Sequence, residues 1–78
     1  MRSWKEEIVE ALRALGGQAN LADIYAQISR QRQPLSSAWQ ATVRQTIERH
    51  SSDSDNFKGE DLFYSVNGLG EGDWGLRR

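Results

Sequence analysis

Four side chains in the middle of the chain have the chemistry and the spacing needed to read the edge of a DNA base pair. Gln40 and Gln45 carry amides that both donate and accept, the pattern that pairs with N6 and N7 of adenine. Arg44 can donate to guanine O6 and N7 or to a phosphate, and Ala41 leaves room for an apolar group that protrudes into the groove. Their spacing would place all four side chains on one side of a helix.

The apolar residues of the same segment predict that helix. Trp39, Val43 and Ile47 recur at four-residue steps and indicate the buried stripe of a helix over roughly residues 37–50, with Ser37 as its N-cap. Trp39 has two interpretations, a core anchor or a partly exposed ring near the bases. The positions that would face a groove are Ser37, Gln40, Ala41, Arg44, Gln45 and Glu48, and Thr42 is a further candidate DNA contact.

The charged residues are unevenly distributed, although the formal net charge is −1. Residues 30–50 carry four arginines against one glutamate, whereas residues 51–78 carry three basic and six acidic residues. Only the middle of the chain is basic, which favours a nucleic-acid contact there. The arginines outside the third helix that we expect to meet phosphates are Arg30, Arg32, Arg77 and Arg78.

Local signals predict the elements that position this segment. Ser3 and Glu6 indicate a capping box for a first helix over roughly residues 4–15. A very short strand at residues 18–19 is followed by Asn20, the predicted N-cap of a second helix that frays near residues 30–33, before Pro34.

The end of the chain changes from helical to strand periodicity. After a polar loop at residues 51–60, residues 62–66 and 74–76 predict a β-hairpin around a glycine-rich loop at residues 67–72. The predicted fold class is therefore α+β, a winged helix-turn-helix of three helices, a short strand and a C-terminal hairpin wing, as a single domain over residues 1–78.

Composition argues against several other classes. A chain of 78 residues is too short for a large enzyme cleft, and without cysteine it has no disulfide framework and no thiolate ligands. His50 is the only histidine, and we expect it to end the third helix rather than to serve catalysis. The sequence predicts no cofactor, no metal site and no enzymatic activity. Because it has no long apolar stretch, we expect a cytoplasmic protein. We also expect the isolated domain to be a monomer.

The third helix resembles the recognition helix of forkhead domains at Trp39, Gln40, Val43, Arg44 and Ile47. Ala41 and Gln45 replace the asparagine and histidine with which forkhead domains contact bases, so the resemblance does not extend to sequence preference. A second resemblance covers almost the whole chain. It is to the winged-helix domain fused to HNH nucleases in modification-dependent restriction enzymes, and it is carried by Leu15–Gly17, Trp39–Arg44, His50–Ser54, Asp61–Tyr64 and Gly72–Arg77.

That second resemblance implies a function. Winged helices of this kind can read N6-methyladenine in duplex DNA, in sites of the GATC type, while a separate, covalently linked domain cleaves. We therefore expect double-stranded, adenine-methylated DNA as the partner and expect this chain to be excised from a longer one.

The methyl reading that the resemblance implies is compatible with the chemistry of the third helix. Methylation of adenine N6 adds an apolar group to the major groove and leaves one N–H donor for pairing with a glutamine. Ala41 and Trp39 are the candidate methyl-contacting residues. Burial of one methyl contributes about 0.8 kcal/mol, so two methyls in a palindromic site give roughly 1.6 kcal/mol, on the order of a fifteenfold preference.

Two alternatives stay open: a winged helix that binds another protein, favoured by the overall acidity and the acidic wing, and a DNA-binding regulator indifferent to methylation.

Overall fold

The computed structural model describes residues 3–32, 36–67 and 72–77, which form three helices and three short strands. The elements follow in the order α1 (Trp4–Ala14), β1 (Gln18–Asn20), α2 (Leu21–Gln31), α3 (Trp39–Arg49), β2 (Phe63–Ser65) and β3 (Asp73–Leu76). The strands form one antiparallel sheet of order β1-β3-β2. The predicted α+β class, with three helices, a short strand and two hairpin strands, is confirmed.

Helix α1 begins and ends through hydrogen bonds between residues close in sequence. The Ser3 hydroxyl accepts from the Glu6 backbone N–H at 3.2 Å, and the Glu6 carboxylate accepts from the Ser3 N–H at 3.0 Å. This confirms the predicted capping box. At the other end, Gly17 has a φ of 96° and donates its N–H to the Leu12 carbonyl at 2.7 Å. Such a left-handed glycine closes a helix without the steric cost that a side chain would add.

The start of α3 differs from the prediction. Ser37 does not cap the helix, because the cap position is held by Ala38 and no side chain makes a cap hydrogen bond there. Instead, the Trp39 N–H donates to the Ser36 carbonyl at 3.2 Å, so a tight backbone turn satisfies a donor that the Ser37 hydroxyl was expected to satisfy. The other two predictions for helix ends are confirmed: Asn20 caps α2 through the Asp23 N–H at 2.9 Å, and His50 ends α3.

The core lies between the three helices and the sheet. Helix α1 packs against α2, α3 and β3, and each helix contributes a stripe of fully buried side chains. Burial of one such side chain stabilises the fold by about 1.5–3 kcal/mol. The buried apolar residues are Ile8, Ala11, Leu12, Ile24, Ile28, Val43, Ile47, Phe63 and Trp74. This packing determines which side of α3 points inward.

The sheet is completed by side chains that cross its strands. Gly75 in the central strand β3 lies opposite Gln18 on one side and Tyr64 on the other. The Tyr64 ring lies over Gly75, and its hydroxyl accepts from the Gln18 side-chain amide at 2.7 Å. The three strands are therefore joined by side chains as well as by backbone hydrogen bonds.

Several predicted features lie outside the described residues. They are Pro34 and the residue before it, where the second helix was expected to fray, the part of the wing loop at residues 68–71, and Arg78. None of the helices that the structure describes is long and apolar enough to cross a membrane.

Candidate nucleic-acid interface

Helix α3 presents a clear division between a buried and an exposed side. Val43 and Ile47 are fully buried, whereas the four candidate base-reading residues, Gln40, Ala41, Arg44 and Gln45, are all exposed. The core therefore holds the helix by one side and leaves the other open. The predicted orientation of the helix is confirmed, and the four side chains lie together on one surface, which we call the α3 face.

Trp39 combines features of both interpretations. Its ring is half-buried against the core and meets Tyr25 of α2 edge-on, with centroids 5.6 Å apart and an interplanar angle of 80°. Such T-shaped pairs stabilise a fold by about 0.5–1.5 kcal/mol beyond the area they bury. The same ring lines an open cleft of about 340 Å³ between α2 and the start of α3. Trp39 thus packs against α2 and borders solvent at the N-terminal end of the α3 face.

The charged residues of the α3 face form a weak local network. Arg44 Nε lies 3.3 Å from the Glu48 carboxylate, which also accepts from the Asn56 side-chain amide at 3.0 Å. The Arg44 side chain is 63% exposed, so this i,i+4 pair contributes only about 0.3–0.5 kcal/mol. Arg44 can therefore leave Glu48 for a base or a phosphate at small cost, while Asn56 still binds the carboxylate.

Thr42 and Ser37 are placed less favourably than the residues of the α3 face. Thr42 is half-buried, and its hydroxyl donates to the Ala38 carbonyl at 3.2 Å, so it has no proton left for a phosphate in this conformation. Ser37 is exposed in the turn that precedes the helix. Of these two residues, Ser37 is the one whose hydroxyl can donate to a ligand without breaking a hydrogen bond of the helix.

Two of the predicted phosphate-binding arginines, Arg32 and Arg30, lie at the end of α2 in different surroundings. Arg32 stacks on the Trp4 ring, with Cζ 4.1 Å from the ring centroid, and lies 4.0 Å from the Glu7 carboxylate. Its side chain is only 22% exposed. Arg30, in the last turn of α2, is exposed and makes no ion pair with a described residue. Of these two, Arg30 is the one whose charge faces solvent.

Arg77 links the end of β3 to the loop between α3 and β2. Its guanidinium lies 2.8 Å from the Asp61 carboxylate and 3.3 Å from that of Asp53, and it donates to the Ser52 hydroxyl at 3.1 Å. Desolvation raises the pKa of Asp61, but hydrogen bonds from Ser52 and Arg77 outweigh it and hold the pKa below its usual value. The positive charge of Arg77 is therefore offset within the protein.

Two more carboxylates of the loop between α3 and β2, those of Asp53 and Glu60, bind other parts of the chain. Asp53 accepts from the Ser65 backbone N–H at 2.8 Å in addition to pairing with Arg77. Glu60 pairs with Lys5 of α1 at 2.8 Å, and this bond raises the pKa of the lysine. Asp53 and Glu60 are thus bonded to the sheet and to α1 rather than to the α3 face.

Sequence reasoning missed two cations beside the α3 face. Arg49 and Lys58, with Gln45 and Asn56, line an open cleft at the C-terminal end of α3. The Lys58 backbone N–H donates to the Arg49 carbonyl at 2.8 Å and so holds the loop against the helix end. The four-residue spacing from Gln45 to Arg49 places both residues on the same side of the helix and could have identified Arg49 as a neighbour of the α3 face. Lys58 lies in a loop without periodic apolar residues, so no sequence pattern indicates its position.

His50, at the end of α3, lies against the loop that follows the helix. The ring nitrogen Nδ1 of His50 lies 3.2 Å from the Glu60 carbonyl oxygen, a contact that joins the helix end to the loop. No three histidine or carboxylate side chains in the described segments come close enough together to hold a metal ion.

No protein-family model matches the chain, and neither a curated protein nor a solved structure matches it.

Proposed function

We propose that this chain is a winged helix-turn-helix domain that binds double-stranded DNA with α3 in the major groove. The observation that carries the proposal is the α3 face, on which Gln40, Ala41, Arg44 and Gln45 are exposed together while the opposite side of the helix is buried. The element order supports it, since three helices with a strand between the first two, followed by a hairpin, is the arrangement of a winged helix.

The dimensions of α3 suit this role. With 11 residues the helix is about 16 Å long, and the major groove is about 12 Å wide, enough to admit an α-helix. Gln40 and Gln45 are expected to pair with adenine, and Arg44 with guanine or a phosphate. Arg30 is expected to contact the backbone. Arg32 and Arg77 are left out of the proposed interface because their charges are offset within the protein.

We infer that the preferred duplex carries N6-methyladenine, in a site of the GATC type. Ala41 is exposed among the polar side chains of the α3 face, where a methyl group can lie beside it, and the half-buried Trp39 ring lines an open cleft next to Gln40. The chain would then be the specificity module of a modification-dependent restriction enzyme, as a monomeric domain whose nuclease lies elsewhere in a longer protein.

A second candidate function is a protein-interaction domain. It is favoured by a groove of about 260 Å³ beside α1, where the half-buried Val9 and Leu62 lie among charged side chains. A domain of this kind would bind no DNA even at low salt.

The test is to titrate the protein into fluorescently labelled duplexes that differ only in adenine methylation. Binding is measured by fluorescence anisotropy at low salt. We expect on the order of fifteenfold tighter binding of the duplex methylated on both strands. Arg44→Ala should weaken binding to both duplexes. Ala41→Leu should remove the methyl preference while leaving the unfolding midpoint nearly unchanged, because Ala41 is exposed and leucine is a good helix former. Arg13→Ala, an exposed change on α1, is the control and should bind like the wild type.

The outcomes separate the candidate functions. Equal affinity for the two duplexes would show that methyl reading is wrong and would favour a regulator indifferent to methylation. Absence of binding at low salt would exclude the DNA-binding proposal and favour the protein-interaction domain. Binding that weakens as salt is raised would support DNA binding through phosphates.

A further inference from the structure

The cleft beside the C-terminal half of α3 has the composition of an anion site. It is open to solvent, has a volume of about 340 Å³, and is lined by Gln45, Arg49, Asn56 and Lys58. Two of these side chains are cations and two are neutral amides. The described residues that line the cleft include no carboxylate, so nothing among them offsets its positive charge.

Ion pairing distinguishes these two cations from most others in the protein. Arg49 and Lys58 are exposed and make no ion pair with any residue in the described segments, a property they share with Arg30. The basic residues that do pair with a carboxylate are Lys5, Arg13, Arg32, Arg44 and Arg77. Among the described basic residues, therefore, two of the three without a carboxylate partner lie in one cleft.

The local structure holds these cations close together. The Arg49 carbonyl accepts the Lys58 N–H at 2.8 Å, which fixes the loop to the end of the helix. Asn56 donates to Glu48 at 3.0 Å, so the loop is tied to α3 at a second point and the nearby carboxylate is already hydrogen-bonded. A ligand would thus meet two cations whose backbone positions are set before it binds.

We propose that this cleft binds a backbone phosphate of the DNA strand that borders the groove entered by α3; the inference rests on the proposed function. Gln45 belongs both to the α3 face and to the cleft, so a phosphate there lies beside the base pairs that α3 reads. Arg49 and Lys58 donate to its non-bridging oxygens. Contacts of this kind set the position of the protein on the duplex and carry no sequence information.

The experiment measures how the affinity for one GATC duplex depends on salt, for the wild type and for the double variant Arg49→Gln/Lys58→Gln. Loss of one phosphate contact should make the slope of log K against log salt shallower by about 0.9. If the two proteins have equal affinity near 1 M salt, this amounts to roughly fifteenfold weaker binding at 50 mM salt. The ratio of affinities for methylated and unmethylated duplexes should not change, because the phosphate is the same in both.

Arg13→Gln is the matched control for Arg49→Gln. Each arginine is exposed and lies in the last turn of an 11-residue helix, where a cation interacts favourably with the helix dipole. The two changes therefore remove the same charge from equivalent helix ends. The Arg13 variant should keep the wild-type slope and affinity, while the single Arg49 variant should lose part of both.

Three results would overturn the inference. A double variant with the wild-type slope and affinity would exclude the phosphate site and leave the proposed function standing. A changed methyl preference would show that these residues act on the bases. Failure of the wild type to bind duplex at any salt concentration would exclude both the proposed function and the phosphate site.

Discussion

Replacement of Gly75 by alanine is expected to destabilise the domain through one neighbour, Tyr64. A Cβ at position 75 would lie 2.5 Å from Cε1 and 2.7 Å from Cζ of the Tyr64 ring, closer than real contacts allow. The ring cannot move aside freely, because its hydroxyl is bound to Gln18 on the far side of β3. The substitution must therefore move the ring and break the contact that links the two outer strands.

Two opposing effects determine the size of the loss. Overpacking of this kind costs about 1–3 kcal/mol. Replacing glycine by alanine at an unstrained position restores about 0.4–1 kcal/mol by restricting the unfolded chain, and Gly75 does not have a positive φ. The net loss is about 1–2 kcal/mol, which lowers the unfolding midpoint of a domain of this size by roughly 4–15 °C.

Urea unfolding followed by circular dichroism on four proteins tests this reasoning: the wild type, Gly75→Ala, Tyr64→Ala and the double variant. The three atoms nearest to the added Cβ all belong to Tyr64. In the Tyr64→Ala background the same glycine substitution should therefore stabilise the domain by about 0.4–1 kcal/mol. The sign of its effect reverses between the two backgrounds, with a coupling energy of about 2 kcal/mol.

An equal loss of stability in both backgrounds would refute the reasoning, because the cost would then arise from strand pairing and not from the ring. No loss in the wild-type background would also refute it, by showing that the ring moves aside freely. Tyr64→Phe separates the two parts of the contact, since it removes the hydrogen bond to Gln18 and keeps the ring over Gly75.

Two further predictions concern the caps and the acidic loop. Ser3→Ala removes the capping box and should lower the free energy of unfolding by about 1 kcal/mol, whereas Ser37→Ala, at a serine that caps nothing, should change it by less than about 0.5 kcal/mol. Equal losses in thermal unfolding would contradict the assignment of the two serines. Asp61→Asn should be less stable than the wild type at pH 7, and the difference should shrink as the pH falls below about 4. The folded pKa of Asp61 is depressed, so its contribution is present above the unfolded pKa of about 3.9 and is lost as the carboxylate protonates. Thermal melts across that pH range check this, and a constant difference would contradict it.

Features that depend on neighbouring residues could be predicted from the sequence. The Ser3–Glu6 capping box and the Asn20 cap each involve residues three positions apart, so the sequence pattern contains the whole interaction. The inner side of α3 was equally predictable, because the four-residue steps of Trp39, Val43 and Ile47 are a property of one helix. The start of α3 was not, because Ser37 has good capping chemistry and the turn at Ser36 satisfied the Trp39 N–H instead.

Features of the candidate site that depend on distant residues could not be predicted. Arg77 and Arg32 carry the charge expected of phosphate contacts, but their partners Asp61 and Glu7 come from other elements, and no pattern along the chain shows that they meet. The place of Lys58 in the cleft could not be predicted either, because Lys58 reaches the end of α3 only through the folding of the loop. The helix that presents the site was thus predictable, whereas the charges available to a ligand were not.

The position of β3 has a consequence for how the protein is made. Both outer strands are hydrogen-bonded to β3. Gln18 in β1 pairs with Gly75, which lies 57 positions later in the sequence, so β1 cannot pair until the end of the chain is present. Such distant pairing makes folding slow. A nascent chain that has left the ribosome up to the end of β2 contains the three helices and two unpaired strands. Its sheet forms only when residues 73–76 emerge. Any truncation before Asp73 should therefore leave a helical fragment with exposed strand edges, prone to self-association and dependent on chaperones.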